Sequence, residues 1–115
     1  MKKTFSMKYN RDFKRLYAKG NSVCGGYVVM YYRKAKVPYN VLGITVTKKL
    51  GKAVVRNRVK RLIRESSRLR EDLINSGYYI VFVARNKSVD ATFEKISHDM
   101  SFLLKKSGLI SPSEE

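Results

Sequence analysis

Ten residues between Lys48 and Arg68 could grip a polyanion: Lys48, Lys49, Lys52, Arg56, Asn57, Arg58, Lys60, Arg61, Arg64 and Arg68. The stretch Lys48 to Arg64 reads KKLGKAVVRNRVKRLIR, with eight basic residues and no acid. No Asp or Glu occurs between Asp12 and Glu65, whereas fourteen Lys and Arg do. Arginine presents a planar fork of donors that matches phosphate oxygens two at a time. Asn57, within the arginine row, adds a donor and an acceptor able to meet a base edge or a sugar. Such contacts set affinity and register but do not by themselves read a sequence. Like charges at i, i+4 destabilise an isolated helix by a few tenths of a kcal/mol per pair. A helix made only to be soluble would place Glu beside Lys, and this one does not before Glu65. The pattern makes sense if a nucleic acid covers it.

Chemistry of other kinds is poorly represented. His98 is the single histidine and lies off the apolar face of its helix, as a solvated side chain would. Asp12, Glu65, Glu71 and Asp72 have no paired spacing with a base, so no catalytic residue is assigned. No metal-ligand cluster stands out, and no metal or other cofactor is assigned to the protein. GKAVVRN lacks the Lys-Ser/Thr ending of a phosphate-binding loop. A nuclease made of protein alone would show carboxylates for metal ions or a histidine pair. Cys24 is the only cysteine, which excludes a disulfide within the chain and suits a small buried hydrophobe in a reducing compartment.

The 115 residues suffice for one domain, which buries roughly 65% of its unfolded surface without staples. The net charge of +16 fits a nucleic-acid partner far better than a metabolic enzyme. The basic N-terminus has no apolar run of the signal-peptide type. The longest apolar run, Tyr78 to Ala84, suits a strand and is too short to span a membrane. A cytoplasmic protein with no membrane partner is expected.

Elements that would position the basic row follow from periodicity. Asn10 is placed to cap a short helix that Gly20 stops, with Phe13, Leu16 and Tyr17 on one face. Val23–Cys24 and Tyr27–Arg33 read as strands around a Gly25–Gly26 turn, and Tyr27, Val29 and Tyr31 alternate onto one face. Pro38 to Asn40 is a turn. Val41 to Thr47 is a strand with Leu42, Ile44 and Val46 on one face. A long helix over about 52–73 buries Val55, Val59, Leu62, Ile63, Ser66, Leu69 and Leu73. At about 100° per residue, Arg56, Lys60, Arg64 and Arg68 form a row opposite that stripe. Tyr78 to Arg85 is apolar on both faces, so it is expected to be a central strand covered on two sides. A last helix over about 90–106 buries Phe93, Ile96, Met100, Leu103 and Leu104, and Gly108 stops it. The order α-β-β-β-α-β-α predicts an α+β fold, a single small sandwich of one mixed sheet with helices. Residues 1–108 form the single RNA-binding domain, and 109–115 are expected to be a loose tail.

The segment LGITVTKKLGKAVVRNRVKRLIRE, Leu42 to Glu65, resembles the signature of the bacterial ribonuclease P protein component. Its core is Arg56-Asn57, Lys60-Arg61 and Arg64, directly after a strand and Lys48-Lys49-Leu50-Gly51. RDFKRLYAKG is similar to that family's first helix, SVCGGYVVMYY to its first strands and YYIVFVAR to its late central strand. The likeness extends over about 9–106. It implies a fold resembling the second domain of a small-subunit ribosomal protein, with a left-handed crossover that general connection rules disfavour. It also implies a role as the protein subunit of ribonuclease P. The partners would be one catalytic RNA, which supplies the active site and requires magnesium, and precursor tRNA, whose 5' leader is removed. The basic helix would meet the catalytic RNA. A cleft built with Phe13, Tyr17 and Tyr31 would take the single-stranded leader, Tyr17 standing where Phe is common. Read from the residues alone, these rings suit a hydrophobic core better than a binding cleft. Two other functions share the charge pattern: a ribosomal or assembly protein, and a helix-based DNA-binding protein. A helix-turn-helix, however, needs a short first helix and a tight turn, not a preceding strand.

Overall fold

A computed structural model describes residues 4–111 of the chain. One mixed five-stranded sheet carries helices on both faces. In chain order the elements are β1 (Thr4–Ser6), α1 (Asn10–Lys19), β2 (Asn21–Cys24), β3 (Val28–Lys34), β4 (Asn40–Thr45), α2 (Ala53–Leu69), β5 (Tyr78–Ala84) and α3 (Phe93–Ser107). Single 3₁₀ turns at Lys48–Leu50 and Asn86–Asp90 precede α2 and α3. The strand order is β1-β4-β5-β3-β2. β5 is central, parallel to β4 and antiparallel to β3.

Alternation along β5 explains the two layers. Ile80, Phe82 and Ala84 enter the larger core with α2 and α3, through Val59, Ile63, Ile96, Met100, Leu103 and Leu104. Val81 points to the opposite face, where Met7 and Leu16 are buried beside Phe13, Tyr31, Val41, Tyr79 and Val83. β4 splits likewise, with Leu42 and Ile44, and Val46 just beyond the strand, against the larger core and Val41 against the smaller. The β4–α2–β5 connection joins neighbouring parallel strands.

The sheet has one strand more than periodicity reveals. β1 pairs in parallel with β4, Thr4 opposite Asn40 and Ser6 opposite Leu42. Three residues carry no readable alternation, and their partner lies far along the chain. Past Ser6 the chain leaves the sheet after one last bond, Met7 N–H to the Leu42 carbonyl at 2.8 Å.

Several local expectations need correction. Helix α1 begins at Asn10, so Tyr9 holds the cap position and no side chain caps it. Tyr27 sits in the turn between β2 and β3 and packs on the larger core, away from Tyr31. Helix α2 ends at Leu69, which is 69% exposed, whereas Arg70 is buried. Arg70 Nη1 donates to Ser66 Oγ at 2.9 Å and Nη2 to Ser97 Oγ at 2.9 Å, tying α2 to α3. This hydrogen-bonded polar contact takes the inward position that an apolar stripe would give to leucine. Helix α3 starts at Phe93 because Thr92 Oγ1 accepts the Lys95 N–H, a cap at 3.3 Å. Cys24 is exposed, not buried.

The expected loose tail starts too early. Gly108 closes α3 in the left-handed conformation, φ 81°. That turn directs Leu109 and Ile110 into the larger core, both 1% exposed. Asn75 N–H also bonds the Leu109 carbonyl at 2.8 Å. Residues 112–115 of the expected tail lie outside the described residues.

Candidate nucleic-acid interface

Helix α2 begins on basic ground. Lys48 and Lys49 are exposed in the 3₁₀ turn, and Lys52 is exposed at the cap position. Its first turn has no acid and no side-chain cap. Four backbone N–H groups at a helix start lack intrahelical partners, and the dipole there favours an anion. Cations around such an end are mutually unfavourable until phosphate arrives. Arg56 Nε donates to the Gly51 carbonyl at 3.2 Å, which holds this half-buried guanidinium against the preceding loop.

One turn further, Val54, Asn57, Arg58, Lys60, Arg61 and Arg64 line an open hollow of about 570 Å³. Asn57, Arg61 and Arg64 are exposed and Lys60 is half-buried. Val54, 81% exposed, is an apolar spot among the cations. Arg58 is partly engaged elsewhere. Its Nη1 donates to the Val89 carbonyl at 3.0 Å and its Nη2 to the Ala91 carbonyl at 2.8 Å. Arg58 therefore pins the turn before α3 to α2 while adding charge. Arg68 lies outside the hollow but joins Lys60 and Arg64 along a second one, about 350 Å³, between α2 and the β1–β4 edge.

The aromatic residues meet on the other face of the sheet. Phe13 and Tyr17 project from α1, their ring centroids 6.5 Å apart. Tyr17 meets Tyr31 of β3 edge to face at 4.9 Å. The Tyr17 hydroxyl bonds Thr45 Oγ1 of β4 at 2.8 Å, which fixes the ring across the sheet. Tyr17 remains 38% exposed, while Phe13 and Tyr31 are half-buried. A groove of about 380 Å³ runs beside them, lined by Asn10, Phe13, Lys14, Tyr17, Ile44, Thr45, Val46 and Lys60. Tyr31 does not line it; it backs Tyr17.

Gly43 makes this groove possible. A β-carbon there would lie 2.6 Å from Phe13 Cε1 and 2.7 Å from Cζ, far inside contact distance. The Phe13 ring thus lies directly on the β4 backbone. Sequence reading picked out the rings but missed Gly43, Thr45 and Lys14. Lys14 had a usable signal, since it shares a helix flank with Asn10, Phe13 and Tyr17. Thr45 and Gly43 had none without knowledge of which elements touch.

Among the described residues, no group of three or more His, Cys, Asp or Glu is placed to hold a metal ion. No described helix is long and apolar enough to cross a membrane.

The family model described as Ribonuclease P matches residues 1–108. The chain belongs to the ribonuclease P protein family. The ribonuclease P protein component of Thermoanaerobacter sp. (strain X514) is 42% identical over 114 residues, covering 99% of this chain and 98% of that one. That of Clostridioides difficile (strain 630) is 44% identical over 108 residues, 93% and 95% of the two chains. The solved Staphylococcus aureus RNase P protein superimposes with a TM-score of 0.86 at 36% identity, covering 95% of this chain and all of that one. The Thermotoga maritima RNase P protein gives 0.80 at 33% identity, over 88% and 96%. The chain is thus a protein component of the ribonucleoprotein endoribonuclease ribonuclease P.

Proposed function

We propose that this subunit holds two RNA segments at once. The basic face of α2 binds the catalytic RNA, and the aromatic groove beside α1 holds the unpaired 5' leader of precursor tRNA. One observation carries this reading: Lys60 lines the open hollow of α2, the hollow at the sheet edge and the aromatic groove. The two surfaces therefore adjoin, as they must if one protein is to place a leader beside the RNA that cuts it. Rings with flanking cations suit single strands, whose base faces are free to stack. Phe13 and Tyr17 offer ring surface, Tyr31 supports Tyr17, and Lys14 and Lys60 flank them with charge.

Chemistry is left to the RNA in this account. Magnesium serves the catalytic RNA, with one cytoplasmic protein bound per RNA. Protein cations take over part of the phosphate screening that magnesium otherwise supplies.

The test is cleavage of precursor tRNA at magnesium too low for the catalytic RNA alone. Added protein restores leader removal, whereas protein without RNA leaves the precursor intact. Failure to restore cleavage at any protein concentration would count against the subunit's proposed action. Specific cleavage by RNA-free protein, after controls for contaminating nuclease, would overturn the division of labour.

A further inference from the structure

A second basic groove lies on the same face of the sheet, across α1 from the rings. Its volume is about 370 Å³, and its lining includes Arg15, Lys19, Arg33, Lys34 and Lys36, with Tyr79 among them. Asp12 is the one acid in that lining. Arg33 lies opposite Tyr79 in the β3–β5 register, and Lys34 opposite Tyr78. These cations come from α1, the end of β3 and the loop after it, so the fold gathers them from three places. All five are exposed. None of them belongs to α2, and the role proposed above uses none of them.

Helix α1 is the divider. Asn10, Phe13, Lys14 and Tyr17 face the aromatic groove, while Asp12, Arg15, Leu16 and Lys19 face the second. At about 100° per residue these sets occupy opposite flanks. The outer crest between them carries Arg11, Lys14 and Arg15, all exposed, and the small Ala18. A continuous basic path thus leads from the rings over α1 into the second groove. A helix is about 10–12 Å across, and a nucleotide advances a strand by at least about 3.4 Å, so about three nucleotides span it.

We propose that this groove is a second RNA-backbone site, which takes the 5' extension of a leader whose nearer nucleotides occupy the aromatic groove. The inference rests on the leader reading of that groove. Charge identifies the ligand as phosphate, and continuity across α1 identifies the strand. One ring among five cations makes the site a grip on backbone and not a reader of sequence.

The experiment uses holoenzyme assembled with wild-type protein, with the triple variant Lys19→Ala/Arg33→Ala/Lys36→Ala, or with Phe13→Ala. Each is titrated with two precursors: one whose leader ends within the aromatic groove, and one longer by about six nucleotides, enough to cross the helix. Wild type should bind the longer leader more tightly. The triple variant should lose that advantage and keep its affinity for the short leader. Its salt slope on the long precursor should fall by about two units, at about 0.7 per single-strand phosphate. Equal wild-type affinity for both lengths would overturn the proposal. So would equal weakening of both precursors by the triple variant, which would place these cations against the catalytic RNA. Phe13→Ala separates the two ideas. If it changes neither precursor while the triple variant still abolishes the long-leader gain, the aromatic reading fails and the second site stands.

Discussion

Gly43→Ala tests the aromatic groove without touching a ring or a charge. The new methyl would lie 2.6 Å from Phe13 Cε1, against an ordinary contact of about 3.6 Å, so the ring must rise by about 1 Å. Phe13 can swing because its far edge borders the open groove. Overfilling a packed contact costs about 1–3 kcal/mol of stability, which leaves a domain of ordinary stability folded. A ring displaced by 1 Å stacks poorly, so leader binding should lose about 1 kcal/mol, the low end for one stacked base. That is about a fivefold rise in the Kd of holoenzyme for precursor tRNA. Mature tRNA has no leader, and its Kd should not move. The decisive assay is a double-mutant cycle with Phe13→Ala. Once the ring is gone, the closest remaining contact of the new methyl is Met7 Cβ, at 3.3 Å, and Gly43→Ala should cost less than about twofold in precursor affinity. Thermal melts of each variant confirm folding. Full additivity of the two substitutions would refute the reasoning, as would equal losses for precursor and mature tRNA.

Arg61→Ala and Arg64→Ala should each lower the salt slope of assembly with catalytic RNA by about one unit, and Lys105→Ala on α3 should not. Equal slopes in a filter-binding series would remove α2 from the interface. Asp99 accepts N–H bonds from Gly26, Tyr27 and Val28 at 3.1, 2.9 and 2.9 Å. Asp99→Ala should therefore destabilise the domain by about 2–4 kcal/mol in urea titration, with the salt slope unchanged once folded. Ile63→Ala, which empties a fully buried site, should cost about 2–5 kcal/mol. Leu69→Ala, at an exposed site, should stay within about 0.5 kcal/mol. Similar melting curves for these two variants would contradict the α2 packing described above.

Legibility in the sequence followed the range of the signal. Tyr78 to Arg85 announced a central strand because the run is apolar on both faces, and β5 ends one residue earlier, at Ala84. The acid-free face of α2 was equally plain, since charge along one helix needs no partner to be read. Leu69 misled because periodicity assumes that leucine faces inward, whereas Ser66, Arg70 and Ser97 supply a bonded polar contact there. β1 was invisible because three residues hold no pattern and pair across more than thirty positions. Tyr31 was placed in the leader cleft by the family resemblance, whereas its strand face alone suited a core ring better. Its role behind Tyr17 depends on how α1 crosses β3, which local sequence does not encode. The second basic groove was missed for the same reason, its cations being scattered over α1, β3 and the following loop.

The central claim is that adjoining surfaces hold two different RNA segments, and site-directed cross-linking tests it most directly. Cys24 is exposed and must first become Cys24→Ser, a change that keeps an acceptor for Arg85 Nη1. A short photoreactive group is then attached through Lys14→Cys, beside the rings, or through Arg61→Cys, on α2. In holoenzyme with bound precursor, the Lys14→Cys probe should label leader nucleotides and the Arg61→Cys probe the catalytic RNA. Labelling of the same RNA segment from both positions would contradict the account.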